Sequence, residues 1–132
     1  MEVMETWKYF PHYKEELFFE KAEADGFSLS IILSNDSWQV EIYFKCMYTF
    51  RLVPQDVYFF KPWWGTLTEG SCYIVKNSEY LESFEEATRG LAFNNSNVEH
   101  WKHYCIVTID GSLDIISKVE PEITWSKNVD YL

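Results

Sequence analysis

His100 and His103 stand three residues apart in "VEHWKHYC", and Cys105 follows two positions later. On a helix, an i, i+3 pair of histidines shares a side and can hold one metal ion. Here the pair runs into "YCIVT", an apolar stretch read as a strand, where i and i+3 point to opposite faces. His103 and Cys105 do share a strand face, and Cys72 would be the third ligand of a zinc site. That spacing matches no compact metal pattern, so the expectation is no metal and no cofactor. Cys72 and Cys105 are then core thiols, and His103 an edge histidine. Nor do His103 and Cys105 make a base and a nucleophile, because a thiol inside an apolar strand is buried and inert. No G-x-S-x-G, P-loop or G-x-G-x-x-G motif occurs. The carboxylates lie on turns and polar faces, and no pair suited to glycoside hydrolysis stands out. The chain is therefore expected not to be an enzyme.

Carboxylates do gather on "NSEYLESFEEATRG". Asn77 or Ser78 can cap a helix there, and Gly90 supplies a left-handed stop. Tyr80, Leu81, Phe84, Ala87, Thr88 and Leu91 form a stripe at helical spacing, against Glu79, Glu82, Glu85, Glu86 and Arg89. Glu82 and Glu86 repel at i, i+4 by roughly a few tenths of a kcal/mol, and a Glu85–Arg89 pair returns a similar amount. Stability neither demands nor forbids such a cluster. It is either a solvated face or a negative patch for a basic partner, with Glu82, Glu85 and Glu86 as the contact residues.

The other candidate surface is "VYFFKPWWG", Val57 to Gly65. Trp63 and Trp64 are adjacent, so in an extended chain they point to opposite sides. A carbohydrate platform needs coplanar rings on one side, so most of this segment is expected in the core. One tryptophan, Trp63 or Trp64, is left at the rim as an anchor for a partner protein.

The totals narrow the classes. At 132 residues the chain is expected to form a single domain, residues 1–132. With 47% hydrophobic and 19% aromatic residues it has material for a real core. A formal charge of -10 argues against nucleic acid and suits a basic protein partner. The start, "MEVMETWKYF", lacks the basic and apolar regions of a signal peptide. No apolar run approaches the roughly 20 residues that span a bilayer. Cys46, Cys72 and Cys105 are an odd, sparse set, read as reduced thiols in a cytoplasmic protein.

The elements follow from periodicity. "PHYKEELFFEKAEADG" is a helix candidate, with a short strand around Leu17 to Lys21 as its alternative. From Phe27 the period becomes two: Phe27, Leu29, Ile31 and Leu33 alternate with serines. After the turn "SNDS", Trp38, Val40, Ile42 and Phe44 oppose Gln39, Glu41, Tyr43 and Lys45. A third strand runs from Met47 to Val53, completing an antiparallel meander. "SCYIVK" is a short strand, "CIVTIDGSLDIIS" a hairpin about Asp110-Gly111, and "VEPEITW" an extended arm. The fold class is α+β. A mostly antiparallel sheet of five or six strands carries one or two helices on one face, and the other face is partly open.

"CYIVKNSEYLESFEEATRG" followed by "VEHWKHYCIVTIDGSLDIISKVEPEITW" resembles small Bacillus-type proteins that look like immunity proteins of polymorphic toxin systems. The likeness covers Cys72 to Trp125. It implies binding to a partner protein without catalysis. The leading expectation is an inhibitor that lays an acidic and aromatic surface over a cationic toxin such as a nuclease. One alternative is a small-ligand or carbohydrate-binding domain using the open sheet face. Another is a self-associating domain.

Overall fold

Leu29, Ile31 and Leu33 alternate with Ser28, Ser30, Ile32 and Ser34, and Val40, Ile42 and Phe44 with Gln39, Glu41 and Tyr43. Leu29, Ile31, Leu33, Val40, Ile42 and Phe44 are each fully buried. This alternation sets the face that one sheet turns inward. The computed structural model describes residues 2–7, 10, 16–54, 72–87 and 101–128. Its elements are β1 (Val3–Thr6), β2 (Phe18–Asp25), β3 (Ser28–Ser34), β4 (Trp38–Phe44) and β5 (Met47–Pro54). Then come β6 (Cys72–Lys76), α1 (Glu79–Ala87), β7 (Lys102–Thr108), β8 (Gly111–Ser117) and β9 (Glu122–Lys127). The α+β class holds, with the strands divided between two antiparallel sheets. One is ordered β1-β6-β7-β8-β5 and the other β2-β3-β4-β9.

The sheets share one apolar core. Leu29, Ile31, Leu33, Val40, Ile42 and Phe44 meet Cys72, Tyr104, Ile106, Leu113 and Ile115 from the opposite sheet. Tyr104 takes Phe44 edge-on at 5.3 Å and Trp7 at 6.1 Å. Both faces of β7 and β8 are covered: the core lies on one side and α1 on the other. Every residue of β8 is accordingly buried.

Turn chemistry carried the meander. Asn35 Oδ1 accepts from the N–H groups of Ser37 and Trp38, so the side chain builds the β3–β4 turn expected of "SNDS". The β2–β3 turn is Gly26-Phe27, flanked by the pair Asp25 and Ser28. Gly26 has φ +63°, so Phe27 is the exposed tip of the turn rather than the first residue of the strand. A Cβ on Gly26 would meet nothing within 4 Å. Gly26→Ala is therefore expected to cost about 1–2 kcal/mol through backbone conformation alone. The cost would read as a lower thermal midpoint with an unchanged fold.

That turn also decides the fate of the first helix candidate. Phe18 to Asp25 is a strand, although Glu, Lys and Ala prefer helix, because pairing with β3 overrides a propensity of a few tenths of a kcal/mol per residue. The start of that candidate, residues 11–15, lies outside the described residues. The third strand departs from expectation as well. Met47 donates to the Phe27 carbonyl, and the chain then crosses to the other sheet, where β5 pairs with β8. A bulge between Met47 and Thr49 accompanies the crossing. Tyr48 accordingly stacks on Trp101 at 3.9 Å, beside α1, while Phe50 packs on the main core. The C-terminal hairpin turns at Ile109-Asp110, one residue before the expected position, with Gly111 opening β8.

Candidate functional site

Helix α1 is fixed at its head and along one side. Ser78 Oγ accepts the Leu81 N–H at 2.9 Å, the capping bond that an N-terminal serine makes. Glu2 Oε2 accepts the Glu79 N–H at 2.8 Å, placing a carboxylate at the positive end of the helix. Tyr80, Leu81 and Phe84 pack against Trp101, Ile116, Cys46 and Tyr48. This geometry decides which glutamates face outward. Glu79, Glu82 and Glu86 are exposed, at i, i+3 and i+7 of one stripe. Glu85 is half-buried on the flank, so the outward set contains Glu79 beside Glu82 and Glu86. Thr88, Arg89, Gly90 and Leu91 lie outside the described residues.

Beneath α1 runs a chain of polar side chains. His103 Nε2 lies 2.7 Å from Asp114 Oδ1, and His103 Nδ1 lies 2.7 Å from Ser78 Oγ. Arg51 Nε donates to Asp114 Oδ2 at 2.9 Å. Register explains the assembly. Arg51 is paired with Asp114 across β5–β8, and Cys105 with Asp114 across β7–β8, so His103, Asp114 and Arg51 lie on the helix-facing side of the sheet. Tyr80 closes the group, edge-on to His103 at 5.3 Å, with the Arg51 guanidinium 4.0 Å from its ring centre. Its hydroxyl lies 3.3 Å from Thr49 Oγ1.

Burial alone would push the Asp114 carboxyl up, but hydrogen bonds and positive charge from His103 and Arg51 prevail and hold it below its ordinary value. An ionised carboxylate only accepts, so His103 Nε2 carries a proton. Nδ1 accepts when the ring is neutral and donates when it is protonated. Ser78 Oγ receives the Leu81 N–H and at the same time bonds to Nδ1. The contacts thus run unbroken from the helix backbone through Ser78, His103 and Asp114 to Arg51.

The zinc grouping does not assemble. Cys72 pairs with Ile106 on the core side of β6, while Cys105 pairs with Tyr73 on the helix side. Among the described residues, no group of three His, Cys, Asp or Glu is placed to hold a metal ion. Burial pushes the Cys72 thiol up, and it pushes the Cys105 thiol well up, with the Asp114 charge adding to the effect. Both are inert thiols near neutral pH. His103 is buried at the centre of the sheet rather than at an edge. His100 and the segment Val57 to Gly65, with Trp63 and Trp64, lie outside the described residues.

The outer face of the second sheet is polar. Ser34 Oγ donates to Glu20 at 2.8 Å, and a shallow groove of about 560 Å³ is lined by Glu20, Lys21, Ile32, Ser34, Gln39 and Asn128. No aromatic ring lines this groove among the described residues.

Sequence reasoning passed over Ser78 as more than a cap, and over Asp114 and Arg51 altogether. One signal was present: Asp114 interrupts "SLDIIS", and a carboxylate inside an apolar strand requires a buried partner. Among the described residues, no helix is long and apolar enough to cross a membrane. No protein-family model, curated protein or solved structure matches this chain.

Proposed function

We propose that this chain is a protein-binding domain that presents the acidic side of α1 to a cationic partner, as an immunity-type inhibitor covers a basic toxin. The observation that carries this reading is the outward stripe of Glu79, Glu82 and Glu86 on a helix pinned from beneath. A fixed display lowers the ordering cost of association, and a net charge of -10 speeds encounter with a cation. The carboxylates would stand in for the phosphates of a nucleic-acid substrate, with Trp63 or Trp64 as aromatic anchor. No cofactor takes part.

The test is affinity isolation from the producing cell, followed by binding kinetics with the captured protein. Changing Glu79, Glu82 and Glu86 together to Gln is expected to slow association by roughly tenfold or more at low salt. It is also expected to flatten the salt dependence. Unchanged association by the folded triple variant would remove the acidic stripe from the interface.

A further inference from the structure

We propose that Ser78 is a latent nucleophile, cocked by His103 and Asp114 and masked by Glu2, that takes up activated acyl and phosphonyl groups. This inference goes beyond the binding reading and does not depend on it. It rests on two consecutive contacts of 2.7 Å, from Ser78 Oγ to His103 Nδ1 and from His103 Nε2 to Asp114 Oδ1. With a neutral imidazole whose Nε2–H is held by Asp114, this geometry is that of an activated serine: Nδ1 is the acceptor within reach of the hydroxyl proton. The imidazole is presented to Ser78 through Nδ1, the reverse of the chymotrypsin-type arrangement, and either ring nitrogen is chemically able to take the proton. Asp114 is itself anchored by Arg51 at 2.9 Å, so the carboxylate is fixed and ionised where an imidazolium would need it.

The surroundings of Ser78 supply the other half of the argument. It sits at the head of α1 with 8% of its surface open, between exposed Asn77 and exposed Glu79. An anionic oxygen already occupies this helix end, because the Glu2 carboxylate takes the Glu79 N–H at 2.8 Å. A developing oxyanion on a substrate bonded to Ser78 would call on the same donor. Glu2 therefore both marks the anion position and blocks it.

The step with an activated ester balances as follows. Ser78 Oγ attacks the carbonyl carbon while its proton passes to His103 Nδ1. The tetrahedral oxyanion collapses, the bond to the leaving oxygen breaks, and His103 returns the proton to that oxygen. Water then repeats the sequence on the acyl-serine and frees Ser78 with a carboxylic acid. With a fluorophosphonate the first half alone occurs: an O–P bond forms, the P–F bond breaks, and fluoride leaves with the proton taken by His103.

The experiment uses the intact folded chain and a fluorophosphonate probe, read by whole-protein mass and peptide mapping. One adduct is expected, on Ser78, forming on the native protein and not on the urea-unfolded one. His103→Gln should slow its formation roughly a hundredfold, the usual worth of a general base. Glu2→Ala, which removes the oxygen from the helix end and leaves the three-residue relay intact, should speed it several-fold by unmasking that end. Because the primary readout is the wild-type protein, a variant that folds poorly does not decide the matter. The absence of an adduct on native wild type, an adduct on another residue, or equal labelling of native and unfolded chain would each overturn the proposal.

Discussion

Asp114→Asn is expected to lower the unfolding free energy by about 3 kcal/mol, at the low end for breaking a buried ion pair from one side. The carboxylate is buried in β8 and receives His103 on one oxygen and Arg51 on the other. Asn keeps the shape and one acceptor oxygen, so one of the two bonds survives. The second is replaced by an amide N–H facing a guanidinium, which also donates only. Against a total of roughly 5–15 kcal/mol for a domain of this class, the loss is severe. Arg51→Ala should cost less, about 1 kcal/mol, because its side chain is 44% exposed and solvent screens the pair.

The pH dependence gives an independent check on Asp114. Its folded carboxyl titrates below the ordinary value of 3.8, so the unfolded chain binds its proton first as pH falls. The stability that the charge confers is fully present above that ordinary value. It is lost as pH drops through the lower, folded value. Urea midpoints of wild type and Asp114→Asn should thus differ most at neutral pH and converge in strong acid. A gap that stayed constant from pH 7 to pH 2 would assign the loss to shape rather than to charge.

The same side chain shows where sequence reading stops. Alternation placed Leu29, Ile31, Leu33, Val40, Ile42 and Phe44 inward without error, since a period of two leaves one choice of face. Asn35 declared its turn because its own carbonyl oxygen builds it. β2 and β5 were different. β2 pairs with its neighbour β3 and is held besides by a distant hairpin tip, through Ile109 to Leu17 and Phe19 to Asp110, while β5 finds β8 only after leaving β4 behind. Local propensity is silent on such pairings, and the division into two sheets follows from them.

The relay is a still sharper case. Arg51, Ser78, His103 and Asp114 come from β5, the head of α1, β7 and β8, and strand register alone brings them together. No spacing along the chain encodes that meeting. The acidic stripe was legible because a helix is a local object. Only the exchange of Glu85 for Glu79 needed the packing of Tyr80, Leu81 and Phe84 to be known.

Phe44→Ala should cost about 3–5 kcal/mol, the range for removing a buried ring and leaving a cavity. Phe44 is fully buried, is the last inward residue of β4, and faces Tyr104 of the opposite sheet at 5.3 Å and 63°. The edge-to-face pair adds roughly 0.5–1.5 kcal/mol to the area term, so Phe44→Leu should recover most but not all of the loss. The position gives the change its reach. Lys45 and Cys46 follow at once, and the core residue Met47 then opens the strand of the other sheet, so Phe44 is the last core residue that β4 contributes before the crossing. Tyr43→Ala, one residue away on the outer polar face, should fall within about 1 kcal/mol of wild type. Urea unfolding of the two alanine variants therefore tests the parity of β4 directly. Equal losses at positions 43 and 44 would mean that the strand does not turn one face to a shared core.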